Sequence, residues 1–178
     1  MNCPDLVRIE APMATYVQLN GVQNNPNLEE VILPKVTSIG KQGFHNNKSI
    51  KHLSFPVCTS LGDGAFYRCE GVLSAEFPRL QSIGANAIGS CVQLQQLDLP
   101  SVKTIQSDLL ATDSAVTIVN IGPGITSIDT AAFKKTSDDL VINLAVSEGV
   151  VSGAPWGATG ATINYDVPYS GTVPMPED

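Results

Sequence analysis

Residues able to do chemistry are few, and their spacing matters more than their number. Cysteine stands at Cys3, Cys58, Cys69 and Cys91, and histidine only at His45 and His52. A zinc site would need a C-x-x-C pair or nearby paired histidines, and the sequence offers neither. Cys69 and Cys91 are 22 residues apart. If one coil of chain is that long, they occupy adjacent rungs, within the Cα range of about 4.4–6.8 Å that a disulfide spans. Cys3 shares their column, and Asn25 and Asn47 fill it in between. Asn and Cys can both bond turn backbone groups from inside, so a buried structural column is the first reading and the bridge the second. Cys58 replaces the valine of Val36 and Val102 and reads as a small buried hydrophobe. His45 lies in the turn "FHNN". His52 lies at an outward strand position with no partner evident, as a solvated side chain would. No G-x-S-x-G, H-E-x-x-H or P-loop pattern occurs. Asp138–Asp139 reads as a solvated turn. Asn47-Lys48-Ser49 matches a glycosylation sequon, but its asparagine sits in the buried column. No catalytic residue, metal site or cofactor is expected.

These columns belong to a repeat. Pro12, Pro34, Pro56, Pro78 and Pro100 follow one another at 22 residues. Six residues before each proline stand Leu6, Leu28, Ile50, Val72 and Leu94. Three before it stand Ile9, Val31, Leu53, Ala75 and Leu97. Five after it stand Val17, Ile39, Leu61, Ile83 and Ile105, followed in three repeats by Gly40, Gly62 and Gly84. A sixth copy from Val116 carries one extra residue near Pro123. No single repeat can bury its own apolar columns, so the rungs must stack about 4.8 Å apart to close a core. The proline ends the strand ladder at a fixed height. "VTSIG" is a second extended run, and "GAFYRC" is a turn or a short helical return. The hydroxyl column Ser38, Ser60, Ser82, Thr104 and Ser127 should bond from rung to rung.

Composition agrees. Apolar residues are 43% and charged residues 15%, so the chain should fold; aromatics at 6% leave small aliphatics to build thin layers. The net charge is −7 with no Lys/Arg cluster, which argues against nucleic acid and anionic membranes as partners. No apolar run is long enough for a transmembrane helix. "MNCPDLVRIE" lacks a basic flank and an apolar h-region, so no signal peptide is expected in this chain.

"LEEVILPKVTSIGKQGF" and "IKHLSFPVCTSLGDGAFYRC" resemble the leucine-rich repeats of BspA-like bacterial surface proteins. "APWGATGATINY" resembles the last rung of such arrays. The first and fifth repeats, "APMATYVQLNGV" and "IQSDLLATD", depart from the phrase. The resemblance implies a non-catalytic leucine-rich-repeat solenoid of about six rungs, extracellular or at the cell surface, used for adhesion or protein binding.

The domain reading is an array over 3–136, a capping rung over 137–166 and a flexible tail or linker over 167–178. Trp156 should lid the last rung. The first rung has no such lid, so its edge is expected to be covered or used in self-association. Strand alternation turns two stripes outward. One is Arg8, Glu30, His52, Ser74, Gln96 and Ile118; the other is Glu10, Ile32, Ser54, Glu76, Asp98 and Asn120. Inward positions repeat and outward ones vary, as a binding face on a fixed scaffold would. A protein partner is the first expectation and a glycan the second, although the stripes lack the aromatic platform for sugar stacking. A spacer holding other domains apart is the structural alternative.

Overall fold

A computed structural model describes residues 3–110 and 115–169. They form a coil of short parallel strands with no helix among the described residues. The first strand of each rung contributes β1 (Arg8–Glu10), β3 (Glu30–Ile32), β5 (His52–Ser54), β7 (Ser74–Glu76), β9 (Gln96–Leu99) and β11 (Ile118–Ile121). The second strand contributes β2 (Tyr16–Val17), β4 (Ser38–Ile39), β6 (Ser60–Leu61), β8 (Ser82–Ile83), β10 (Thr104–Ile105) and β12 (Ser127–Ile128). Pairing is parallel and in repeat register: Arg8 faces Glu30, Ser38 faces Ser60, and Ile118 faces Gln96.

Proline marks a corner. Val36 N–H donates to Leu33 O, Cys58 to Phe55 O and Leu80 to Phe77 O, each at 3.2 Å. Pro34, Pro56 and Pro78 therefore sit at the second position of β-turns, where a fixed φ is already suitable. A second corner follows the glycine column, where Gly43 N–H donates to Gly40 O and Ala65 N–H to Gly62 O. There, rungs approach closely: a Cβ on Gly62 or Gly84 would lie 2.6 Å from the backbone nitrogen of Lys41 or Asp63. Gly40, Gly62 and Gly84 donate to the rung below at 2.8 Å, but Gln106, in the same column, does so at 3.3 Å. The departure seen in the fifth repeat thus loosens one bond and leaves the architecture intact.

The return segment is a turn, not a helix, and its backbone explains why. Asn20, Gln42, Asn86 and Asp108 have φ of 53–56°, and Gly64, in the same column, has φ of 60°. Four residues later Asn24, Asn46, Arg68 and Ser90 have φ of 59–62°. Two left-handed residues per rung break any helical hydrogen-bond run. The N–H groups go to the next rung instead: Gln42, Phe44 and Asn46 donate to Asp63 O, Ala65 O and Tyr67 O at 2.8 Å. The return side is therefore hydrogen-bonded from rung to rung, as the second-strand side is.

Inside, Leu28, Ile50, Val72 and Leu94 are fully buried, as are Leu97 and Val119. Phe44 stacks on Phe66 at 5.3 Å and Phe55 on Phe77 at 5.9 Å, both pairs within 9° of parallel. The second strands form one continuous six-stranded sheet. The first strands do not: among the described residues no strand pairing joins β3 to β5 or β7 to β9. Both interruptions fall where the residue before the proline changes between leucine (Leu33, Leu99) and phenylalanine (Phe55, Phe77).

The structure refines three expectations. The capping segment is another full coil: β13 (Val141–Leu144) and β14 (Thr162–Asn164) extend the sheet in parallel, Val141 facing Ile118 and Thr162 facing Val141. Cross-rung hydroxyl bonds come from the column beside the expected one: Thr37 Oγ1 donates to Thr15 O, Thr59 Oγ1 to Thr37 O and Thr126 Oγ1 to Lys103 O. These hydroxyls point along the stack, whereas Ile39 and its copies, two positions on, point inward. The end of the expected cap and the first residue of the expected tail are pinned: Asp166 and Val167 N–H donate to Val146 O and Leu144 O at 3.1 and 3.0 Å. Residues 170–178 of that tail lie outside the described residues.

Trp156 is fully buried at the C-terminal end. Its Nε1–H donates to Ser152 O at 2.8 Å, and its ring meets Phe133 edge-on at 6.5 Å. At the opposite end Val7, Met13, Tyr16 and Leu19 are 50–73% exposed. The first repeat's departure from the phrase puts apolar side chains in outward columns that hold Glu29, Lys35, Ser38 and Lys41 one rung on.

Candidate functional site

The twelve expected outward residues share one face, in two stripes, but the structure gives the stripes three chemistries. At the N-terminal end Arg8 bonds Glu10 at 2.8 Å and Glu30 at 3.1 Å, all three side chains about half exposed. In the middle, His52 Nδ1 shares a 2.8 Å hydrogen bond with Ser74 Oγ on the next rung. His52 therefore has a partner, contrary to the sequence reading. The pair was hidden because the two residues meet only through the 22-residue register. Ser54 Oγ reaches Glu76 at 3.5 Å, a long contact. Ile32 and Ile118 are half-buried.

The C-terminal end carries an amide ladder. Gln96 Nε2 donates to both oxygens of Asp98 at 3.0 and 2.9 Å, and Asn120 Nδ2 donates to Asp98 Oδ1 at 2.7 Å. Asn143 Nδ2 donates to Asn120 Oδ1 at 2.8 Å, and Asn164 Nδ2 to Asn143 Oδ1 at 2.9 Å. Parallel register puts these residues one above another: Asn120 opposite Asp98, Asn143 opposite Asn120, Asn164 opposite Asn143. Sequence reasoning stops the stripe at Asn120. The signal for the rest is present, since "IVNI", "VINL" and "TIN" repeat a central asparagine.

Tyr169 also escapes sequence reasoning. It lies against the ladder's outer side, with Val167 and Pro168, and bounds a cavity of about 290 Å³. Burial first, and then the Asp98 charge, push its phenol up from the ordinary 10 to about 12.

The cysteine column works from inside the turn. Asn47 Nδ2 donates to Phe44 O at 2.7 Å and to Val22 O on the rung below at 2.8 Å. Cys69 Sγ–H donates to the same Phe44 O at 3.1 Å, and Cys91 Sγ–H to Phe66 O at 3.6 Å. Cys69 and Cys91 stand as fully buried thiols, not joined in a disulfide. Burial pushes Cys69 up to about 12 and Cys58 up to about 11, which keeps both protonated and unreactive. Asn47 has no exposed surface, so the sequon offers no acceptor.

On the turn side His45 stacks on Tyr67 at 5.7 Å, and Arg68 lies 5.8 Å from the Tyr67 ring centre. Burial, and then the Arg68 charge, lower the His45 pKa. Among the described residues no group of three or more His, Cys, Asp or Glu is gathered to hold a metal. Among them, too, no helix is long and apolar enough to cross a membrane.

Comparison with known proteins agrees with the coil. A leucine rich cell surface protein from Faecalibacterium prausnitzii A2-165 superposes with a TM-score of 0.67 at 19% identity, over 93% of this chain. This chain spans about half of that protein, 48% of its length. No curated protein shows a match. Six copies of the BspA type leucine rich repeat region match residues 2–140. The period, the columns and that match agree, and the chain belongs to the BspA-type leucine-rich repeat family.

Proposed function

We propose that the chain is a non-catalytic binding module of a bacterial cell-surface or secreted protein, and that its first-strand face engages a protein partner. The observation that carries this reading is the contrast between faces of the same strands. Inward columns repeat because stacking constrains them, while the outward stripes change chemistry every two or three rungs. A structural neighbour is a leucine rich cell surface protein, which supports the location. The stripes hold Glu10, Glu30, Glu76 and Asp98 against Arg8, so the partner surface is basic.

An array of immobilised extracellular proteins and glycans tests this with the native chain and a Glu30→Lys, Glu76→Lys variant. Both carboxylates are solvent-exposed, so the variant keeps its core. Selective capture of basic proteins by the native chain, lost in the variant, is the expected result. Native and variant chains that are equally silent across both classes would remove the binding reading.

A further inference from the structure

We infer that the cavity between the amide ladder and Tyr169 is a binding site for a polyhydroxylated ligand of monosaccharide size. The inference rests on the first-strand face being a binding face, but not on the partner being a protein.

The cavity, about 290 Å³, lies at the small end of ligand pockets. Its walls are Gln96, Asp98, Asn120 and Asn143 on one side and Val167 and Tyr169 on the other. A side-chain amide carries two N–H donors and two acceptor lone pairs. The ladder uses one N–H and one lone pair of Asn120, and the same of Asn143. Each amide thus keeps one donor and one acceptor, and its rotation is fixed by its neighbours. Such fixed, alternating donors and acceptors suit hydroxyl groups, which both give and accept. They are also already ordered, so binding need not pay to order them.

Other ligand classes fit less well. An anion would find the Asp98 carboxylate and no lysine or arginine in the wall. A metal ion would find one carboxylate, whose oxygens already accept from Gln96 and Asn120. A wholly apolar ligand would leave the remaining amide groups dry and unpaired. A sugar presents hydroxyl edges and C–H faces together, and this wall supplies amides opposite an aromatic ring and a valine. The phenol adds an O–H donor that stays protonated at neutral pH. The pinned backbone of Asp166 and Val167 holds that side of the cavity in place.

Saturation-transfer NMR of the whole chain with glucose, galactose, mannose, N-acetylglucosamine and N-acetylgalactosamine tests the site. At least one sugar is expected to receive saturation and to shift the side-chain amide signals of Asn120 and Asn143. Tyr169→Ala, outside the repeat core, should weaken that sugar about 10-fold or more. Asn143→Leu should do the same, and Arg8→Ala should leave it unchanged. Silence from all five sugars overturns the proposal, as does binding that survives both Tyr169→Ala and Asn143→Leu. Protein capture that persists while every sugar is silent sinks this inference alone. Loss of capture in the Glu30→Lys, Glu76→Lys variant with sugar binding retained separates the two readings the other way.

Discussion

The two ends of the coil solve the same problem differently. Each presents an outermost rung of this chain, with an apolar interior and a strand edge. The C-terminal end folds Trp156 over Phe133, adds β13 and β14, and ties the outer face together with neutral amides. The N-terminal end leaves Val7, Met13, Tyr16 and Leu19 in the open and dresses the same face with half-solvated ion pairs. One end is closed by packing and satisfied hydrogen bonds. The outer face of the other carries ion pairs that water and salt can replace.

Removing the lid should break that contrast most. Trp156→Ala takes a fully buried indole from the closed end and is expected to cost about 3–5 kcal/mol, read from the urea midpoint. Tyr16→Ala, a comparable deletion at the open end, should cost well under about 1 kcal/mol because that ring is already half in water. Equal losses would mean the ends do not differ as described.

Next is the ladder. Asn143→Ala deletes two ladder bonds and leaves partners that water reaches in part, an expected cost of about 1 kcal/mol. That loss should hold from low to high salt. Arg8→Ala should cost about 0.5 kcal/mol or less in dilute buffer and nothing measurable in about 1 M NaCl. A salt-sensitive ladder or a salt-resistant arginine would reverse the assignment of the two chemistries.

The smallest effect concerns pH on the turn side. His45 holds its proton less tightly when folded than its ordinary 6.5, chiefly through burial and then through Arg68. The unfolded chain therefore binds more protons in that window, and stability rises with pH there. The contribution is complete above pH 6.5 and is lost as pH falls through the lower folded value. His45→Gln should flatten this step in a pH series of thermal midpoints. A step that keeps its size in the variant would locate it elsewhere.

The columns explain how much of this is legible in the sequence. Prolines, glycines and aliphatic positions recur because every rung meets the same neighbours, so period, coil and inward residues follow from spacing. The same logic places Asn47 and Cys69 inside the turn. What escapes it is cross-rung chemistry between unlike residues. His52 and Ser74 fall in one stripe, yet nothing in either residue type announces the bond between them. A helical return stays open until φ is known, because Gln42 and Arg68 are not residues that signal a left-handed turn. Tyr169 cannot be anticipated at all. Its place depends on a chain reversal fixed by two backbone hydrogen bonds, and backbone groups are the same at every residue.

The interrupted pairing of the first strands has a mechanical reading. The six second strands run as one unbroken sheet, while the opposite side is split into blocks of two, two and four strands. Such a coil is a leaf spring with a tiled front. Bending should open its two seams, at Leu33/Phe55 and Phe77/Leu99, before it strains any hydrogen bond of the continuous leaf. The amide ladder, wholly inside the four-strand tile, would ride such a deflection unchanged, whereas the acidic stripes, which cross both seams, would alter their spacing with the curvature of the coil.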